Sequence, residues 1–142
     1  MTVLIDIAAA VTAALNDATL SQEFTATRSY SPVFELADLE TLHVTVVAKE
    51  RDKESATRGS TKGTYIVDVA VQQKVDPDDL PQCDALMALA EEIVELFFGK
   101  RLVDYEAAIC TAVGNAPIYS PRHMRESRVF SSVLGLTFEV RA

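Results

Sequence analysis

Two stretches with alternating apolar and polar residues flank a highly charged segment in the first half of the chain. The apolar positions of these stretches are Leu42, Val44, Val46, Ala48, Tyr65, Val67, Val69 and Val71. A period of two residues is typical of a β-strand that buries one face, so the pattern predicts two strands. The segment between them, residues 49–63, holds no large apolar residue, and we call it the arm. The chain must therefore fold around two strands joined by a segment with nothing to bury.

The arm is longer than a hairpin connection needs. Most hairpin loops have about two to five residues, and longer loops without structure tend to be functional or disordered. One interpretation is a mobile solvated loop, because charged segments with few apolar residues stay disordered on their own. The other is a projection that becomes ordered against a partner. Its cations are then candidate interface residues: Lys49, Arg51, Lys53, Arg58 and Lys62.

Length and composition are typical of a folded domain. The chain has 142 residues, of which 49% are hydrophobic, and we expect one domain over residues 1–142 with its own core. No apolar run approaches the roughly 18 residues that a membrane span needs. The first residues include Asp6 and lack a basic region, which argues against a secretory signal. We therefore expect a soluble protein that is made in a cytoplasm.

The charge of the chain is strongly negative and unevenly distributed. A net charge of −8 argues against a general nucleic-acid binder, which normally presents a basic face to phosphates. The acidic residues gather at Asp76, Asp78, Asp79 and Asp84, and again at Glu91, Glu92 and Glu95. The basic residues gather in the arm, at Lys100 and Arg101, and at Arg122, Arg125 and Arg128. Patches separated in this way suit contacts between copies of the chain, although solvated faces show the same pattern.

Apolar residues at helical spacing predict two helices, over residues 3–16 and 80–98. Their buried stripes are Ile7, Val11 and Leu15 in the first helix and Leu86, Leu89, Ile93 and Leu96 or Phe97 in the second. Asp79 and Gln82 resemble a capping box at the start of the second helix, and Gly99 is typical of its end.

Strand patterns complete the predicted fold. The strands are expected over residues 24–30, 42–49, 64–74, 107–113 and 129–141, with a further short extended piece at residues 33–36. The order α-β-β-β-α-β-β predicts an α+β domain: a mainly antiparallel sheet of four to five strands, two helices on one face, and the arm as a long charged hairpin.

Residues 116–128 are predicted to be irregular. Ile118, Tyr119, Arg122 and Arg125 resemble an interface loop, because aromatic side chains and arginine are enriched at contact cores. Local packing over the end of the sheet explains the same residues equally well.

No pattern in the sequence points to catalysis, a cofactor or a metal. The two histidines, His43 and His123, are far apart, and neither a GxGxxG nor a Walker pattern is present. Cys83 and Cys110 form no CxxC pair, and we expect both to be buried thiols in a reducing compartment. We therefore predict that the protein is not an enzyme and binds no cofactor.

Four strings of the sequence resemble small proteins encoded among the tail and head-completion genes of tailed bacteriophages and prophages. The strings are TATRSYSPVFELADLETLHVTVVAKE, DVAVQQKVDPDD, ALMALAEEIVELF and PIYSPRHMRESRVFSSVLGLTFEV. The order of elements, with a long charged hairpin arm after a strand that ends in V-V-A-K, is similar to that of the tail terminator, or tail completion, family. The resemblance extends over residues 25–140.

This resemblance implies a structural role in a virion. Members of the family form a ring, usually six-fold, on the head-proximal end of the tail tube, where it stops tube growth and offers a docking face to the head. The implied partners are further copies of the chain, the tail tube protein and head–tail connector or neck proteins, with no membrane. DNA would only pass through the lumen, where acidic surfaces would repel its phosphates. We expect a heterologous ring contact, in which one face of each copy meets a different face of the next.

Two alternatives stay open. Another neck protein, a head–tail connector or a tail tube subunit also fits the resemblance, although tube proteins are dominated by sandwich-like strands and two helices argue against that class. A small-ligand-binding α+β module or an unrecognised enzyme would need a concave apolar pocket with a few polar groups. The sequence contains no sign of such a pocket.

Overall fold

The computed structural model describes residues 2–31 and 36–141, which form a mixed five-stranded sheet, three α-helices and a short 3-10 helix. In chain order the elements are α1 (Val3–Asp17), β1 (Ala26–Arg28), the 3-10 helix (Leu36–Glu40), β2 (His43–Thr57), β3 (Ser60–Lys74), α2 (Leu80–Phe97), β4 (Ala108–Gly114), α3 (Pro121–Ser127) and β5 (Val129–Arg141). The α+β class is therefore confirmed. The extended piece expected at residues 33–36 lies outside the described residues except for Leu36, which begins the 3-10 helix.

The strands are ordered β1-β2-β3-β5-β4 across the sheet. The pairs β2–β3, β3–β5 and β4–β5 are antiparallel, as predicted, but β1 pairs with β2 in parallel. The prediction of a mainly antiparallel sheet is thus correct only in part, and the first strand is shorter than residues 24–30. Parallel neighbours need a crossover connection of about a dozen residues, and residues 29–42 are long enough to provide it.

The core lies between one face of the sheet and the helices α1 and α2. The register pairs Val44 with Val71 and Val46 with Val69, so these alternating residues share one face, and all four are buried. Ile7 of α1 and Ile93 of α2 are part of the same buried cluster. The two predicted helices therefore pack on one face of the sheet, which we call the helix side.

Side-chain hydrogen bonds form at the start of α2 and near the end of α1. Asp79 Oδ1 accepts from the Gln82 backbone N–H at 3.1 Å, which satisfies one of the free amides at the start of α2. Asn16, in the last turn of α1, uses its side chain to bond both backbone groups of Ala26, at 2.7 Å and 3.1 Å. This second contact ties the end of α1 to β1.

The segment predicted to be irregular contains a short helix, α3. Ser120 Oγ accepts from the His123 backbone N–H at 3.3 Å, and Pro121 occupies the first turn, where its missing N–H costs nothing. Arg128 ends the helix in the left-handed conformation, with φ of 52°. The prediction of irregular structure over residues 116–128 was therefore wrong for Pro121–Ser127.

The arm is a continuation of the sheet. β2 and β3 remain paired from His43 opposite Gln72 to Thr57 opposite Ser60, with bulges near Ala48 and Ser55. The turn between the strands consists of Arg58 and Gly59, and Gly59 has a φ of +82°, which glycine adopts without a steric penalty. The strands predicted over residues 42–49 and 64–74 thus extend through the arm, and its interpretation as an open loop was wrong.

Candidate functional site

Strand pairing sorts the charges of the arm onto its two faces. Residues directly opposite each other in an antiparallel pair lie on the same face. Arg51 is opposite the buried Tyr65 and Lys53 is opposite Gly63, so both cations lie on the helix side. The acidic residues of the other face are Glu50, Asp52 and Glu54, which are opposite Ile66, Thr64 and Lys62. The arm therefore has a basic face and an acidic face, and its charges do not alternate at random.

The two cations of the basic face are free for a partner. Arg51 and Lys53 are both exposed, and neither forms an ion pair within the part of the chain that the structure describes. Arg58, at the turn, is exposed as well.

The other two cations predicted in the arm are engaged within the chain. Lys49 Nζ lies 3.6 Å from Asp68 Oδ2, and Lys62 Nζ lies 3.9 Å from Glu54 Oε1 and 3.7 Å from Glu139 Oε2. Burial raises the pKa of the Asp68 carboxyl, and the charge of Lys49 opposes this rise. Lys49 and Lys62 are therefore less available to a partner than Arg51 and Lys53.

The base of the arm is anchored to the core by Tyr65. This side chain is only 2% exposed, although it lies in the strand that leads into the arm. Its ring covers Gly63 so closely that a Cβ added there would stand 2.6 Å from Tyr65 Cε2. The arm therefore leaves the sheet in a direction that the core packing fixes.

The second group of predicted residues lies at the other end of the sheet. Tyr119 stacks on the buried Phe130 with ring centroids 5.8 Å apart, and Ile118 is 45% exposed. On α3, Arg122 Nε lies 3.0 Å from Glu126 Oε2, and Arg125 is exposed.

The structure does not bring the two groups of candidate residues together within one copy. The Ser120 backbone N–H donates to the Ser131 carbonyl near the start of β5 at 3.0 Å, whereas Lys62 of the arm pairs with Arg141 at its end. The thirteen residues of β5 thus separate the two groups. Any partner that contacts both groups at once must span the length of the sheet or be a second copy.

An acidic groove lies on the helix side between α2 and β4. Its volume is about 750 Å³. The residues that line it are Asp84, Met87, Ala88, Ala90, Glu91, Val94, Glu95, Val113, Asn115 and Ile118. The sequence marks Glu91 and Glu95 as the solvent side of a helix, but only the position of β4 turns that side into a groove. Ile118 is the one predicted interface residue that lines it.

The side chains that could take part in catalysis or bind a metal ion are dispersed over the fold. His43 Nε2 contacts the Asp38 backbone carbonyl, and His123 is exposed on α3. Among the described residues, no group of three or more His, Cys, Asp or Glu side chains is arranged to hold a metal ion. Cys110 is buried and Cys83 is half-buried, both are free thiols, and burial raises the pKa of each.

These features define a class of protein: an α+β sheet domain that presents a projecting hairpin at one end and an acidic groove beside its last strand. No protein-family model and no curated protein matches the sequence. None of the described helices combines the length and the apolar character that crossing a bilayer requires.

A solved structure shares the fold over the whole chain. It is the sheath/tube terminator of an extracellular contractile injection system, PVC, determined by cryo-EM in its extended state. The similarity has a TM-score of 0.52 at 12% sequence identity and covers 100% of this chain and 57% of the other. The chain thus spans little more than half the length of that terminator, and the likeness is one of fold.

Proposed function

We propose that the protein is a structural, non-enzymatic tail terminator, whose copies form a ring at the head-proximal end of a tail tube and stop its growth. The observation that carries the proposal is the similarity of the entire chain to a sheath/tube terminator. The resemblance of its sequence strings to phage tail-completion proteins points in the same direction, independently of the coordinates.

The energetics of the arm support a role outside the monomer. Among the described residues, the buried hydrophobic cluster has no member between Ala48 and Tyr65. Ordering the backbone of each residue costs about 1–2 kcal/mol, and a solvated ladder gains only modest free energy from its hydrogen bonds. An exposed hairpin of this length therefore contributes little to the core, but it offers two charged faces to a neighbour.

The proposed partners are further copies of the chain, the tube protein and the components docked above it. For a phage these components are head–tail connector or neck proteins, and the ring is a hexamer with DNA passing through its lumen. The second candidate within this class is another neck protein. Co-purification with headless tails favours the terminator, whereas co-purification with tailless heads favours the neck protein.

Native mass tests the proposal directly. Light scattering after size exclusion, across concentration and with tail tubes added, should detect a closed ring or a monomer that becomes a ring on tubes. A monomer that ignores tubes at every concentration contradicts the proposal. Electron microscopy of tubes grown with and without the protein adds a functional readout, because a terminator should cap tubes at one end.

A shortened arm separates folding from assembly. Replacing residues 53–63 by the dipeptide Asn-Gly keeps Asp52 opposite Thr64 and retains Tyr65, and Asn-Gly favours a two-residue hairpin turn. We expect this variant to keep the circular dichroism and cooperative unfolding of the original chain but to lose ring formation. A variant that still forms rings would show that the arm is dispensable for assembly.

A further inference from the structure

Two edges of the sheet are left without a partner strand in the described residues. β1 covers the outer edge of β2 at residues 44–46, and the Ser29 N–H donates to the Val46 carbonyl at 2.9 Å; among the described residues, no strand pairs with residues 47–57 on that edge. At the opposite edge of the sheet, the segment after α2 covers the start of β4, where the Cys110 N–H donates to the Lys100 carbonyl at 2.9 Å. In the part of the chain that the structure describes, residues 111–114 have no strand on their outer edge.

The two free edges have compatible directions. Going across the sheet from β2 through β3 and β5 to β4, each strand is antiparallel to the one before. β2 and β4 therefore run in opposite directions. Two copies placed side by side in the same orientation bring β4 of one against β2 of the next as an antiparallel pair, which is the arrangement a ring requires.

The free edges also lie at the same level, which means the same position along the direction of the strands. The register connects opposite residues across the sheet from β2 to β4 in two rows: Val47, Asp68, Gly135 and Gly114, and then Glu50, Ile66, Thr137 and Ala112. The unpaired part of β2 thus begins at the level of the unpaired part of β4. Neighbouring copies can pair residues 47–50 with residues 111–114 without sliding along the strands. From Arg51 onward the arm then has to leave the sheet edge, because the segment after α2 occupies the outer edge of β4 at the level of Cys110.

Opposite charges near the two free edges favour their pairing. Arg51 follows the stretch of β2 that can pair with the next copy, and it lies on the helix side. The register aligns Arg51 with Tyr65 of β3, Phe138 of β5 and Cys110 of β4. The Cys110 carbonyl accepts from Gly99 at 2.9 Å, just after the end of α2, and Glu95 lies one turn earlier in that helix.

Glu91 and Glu95 line the groove beside β4, are exposed, and form no ion pair within the described part of the chain. Lys100 Nζ donates to the backbone carbonyl of Glu95 at 2.8 Å, which leaves the Glu95 carboxylate available. The free cations of the arm and the free acids of the groove are therefore complementary.

From these observations we infer that a second copy of the chain binds the free edge of β4. Residues 47–50 of one copy add to residues 111–114 of the next copy, Arg51 contacts Glu95 near the end of α2, and Lys53 adds positive charge beside the same end of the groove. This contact rests on the proposed ring function and specifies how the ring closes.

Pairing of two arms with each other is disfavoured by the same charges. Antiparallel addition of one β2 edge to another keeps corresponding faces on the same side of the joined sheet. Arg51 and Lys53 of the two copies would then be neighbours on one face, and Glu50 and Asp52 on the other. Like charges opposite each other destabilise a strand pair, so the arm selects an acidic partner surface over a second arm.

Charge reversal and its rescue test the contact. We expect Arg51→Glu with Lys53→Glu to raise the concentration for half-assembly by about tenfold or more, and Glu91→Lys with Glu95→Lys to do the same. The fourfold variant restores the complementarity with the charges exchanged and should recover assembly. The control, Asp52→Lys with Glu54→Lys, changes as many charges on the acidic face of the same arm, beyond the residues that pair with the next copy, and should assemble like the original chain.

A crosslink tests the strand pairing without relying on charge. In a Cys83→Ser background, Glu50→Cys with Ala112→Cys places thiols at the same level of adjoining edges, and oxidation should link neighbouring copies into a ladder of oligomers. Thr57→Cys with Ala112→Cys is the control that is out of level and should not link, because a disulfide needs Cα atoms within about 7 Å.

The outcomes separate this contact from the ring itself. If the original chain never assembles, with or without tubes, the proposed function fails. If it forms rings while the level-matched cysteines do not link and the charge reversals leave the mass unchanged, the ring stands and this contact is wrong.

Discussion

Gly63 and Tyr65 form the tightest residue-level contact at the base of the arm. A Cβ at position 63 would stand 2.6 Å from Tyr65 Cε2 and 2.9 Å from its hydroxyl oxygen, so the buried ring would have to move. We expect Gly63→Ala to lower the free energy of unfolding by about 1–3 kcal/mol, the usual cost of overpacking. Urea denaturation measures this change. Gly114→Ala is the matched control because no atom lies within 4 Å of its added Cβ, and equal stability of the two variants would contradict the prediction.

Asp68 makes stability depend on pH in a direction opposite to that of most carboxyl groups. Burial raises its pKa above the ordinary value of 3.8, despite the Lys49 ammonium 3.6 Å away. The folded protein thus holds this proton more tightly than the unfolded chain, so the contribution of Asp68 to stability is present below that value and is lost as the pH rises through the folded pKa.

Asp68→Asn should remove this dependence. Relative to the original chain, the variant should gain unfolding free energy between about pH 3.5 and pH 7, because only the original chain ionises a half-buried group. Urea denaturation at both pH values measures the difference. Asp52→Asn, an exposed carboxyl on the same face of the sheet, is the control. A loss of relative stability with rising pH would mean that the ion pair with Lys49 outweighs desolvation.

At the scale of elements, the start of α2 confirms half of the predicted capping box: Asp79 caps the helix, but its own N–H donates to the Asp76 carbonyl at 2.9 Å and not to the Gln82 side chain. Asp79 Oδ1 accepts from the Gln82 N–H at 3.1 Å, and α2 buries Leu86, Leu89 and Ile93 against the sheet. Asp79→Ala should therefore cost about 0.5–2 kcal/mol of unfolding free energy. The neighbouring Asp78→Ala removes the same charge without the cap, and thermal unfolding of the two variants should differ. Equal effects would assign the loss to charge alone.

Elements with a buried stripe could be predicted from the sequence. The predicted ends of α1, α2 and β5 agree with the structure to within one residue, because each alternates or repeats apolar residues that face one core. The arm lacks such a pattern, since its strands are held by pairing with each other, and with β5 at residues 62 and 63, and not by a buried apolar stripe. The parallel pairing of β1 rests on three residues, too short a stretch to carry a periodic signal. α3 did have a signal, Ser120 followed by Pro121, which the sequence reasoning overlooked.

At the scale of the whole molecule, the sequence predicts half of the candidate contact. The cations of the arm are visible as a charged run, but their separation onto one face depends on the register and on the bulge near Ala48. The acidic groove has no sequence signature, because it forms only where α2 passes β4 and the edge of β4 is uncovered. Which two surfaces meet is therefore a property of the folded sheet.

The salt dependence of assembly is the prediction that belongs to this scale. Each copy carries a net charge of −8, so a ring must overcome repulsion between copies, and the contact of Arg51 and Lys53 with the groove offsets part of it. In Arg51→Glu with Lys53→Glu that attraction becomes repulsion between acids, which salt screens over about 10 Å at 0.1 M and about 3 Å at 1 M. Raising the salt should therefore help this variant more than the original chain and narrow the gap between their half-assembly concentrations in light scattering. The shortened arm, which keeps Arg51 but lacks Lys53 and the rest of the hairpin, carries no reversed charge and should show no comparable recovery. A gap that salt leaves unchanged would mean that shape, not charge, accounts for the lost assembly.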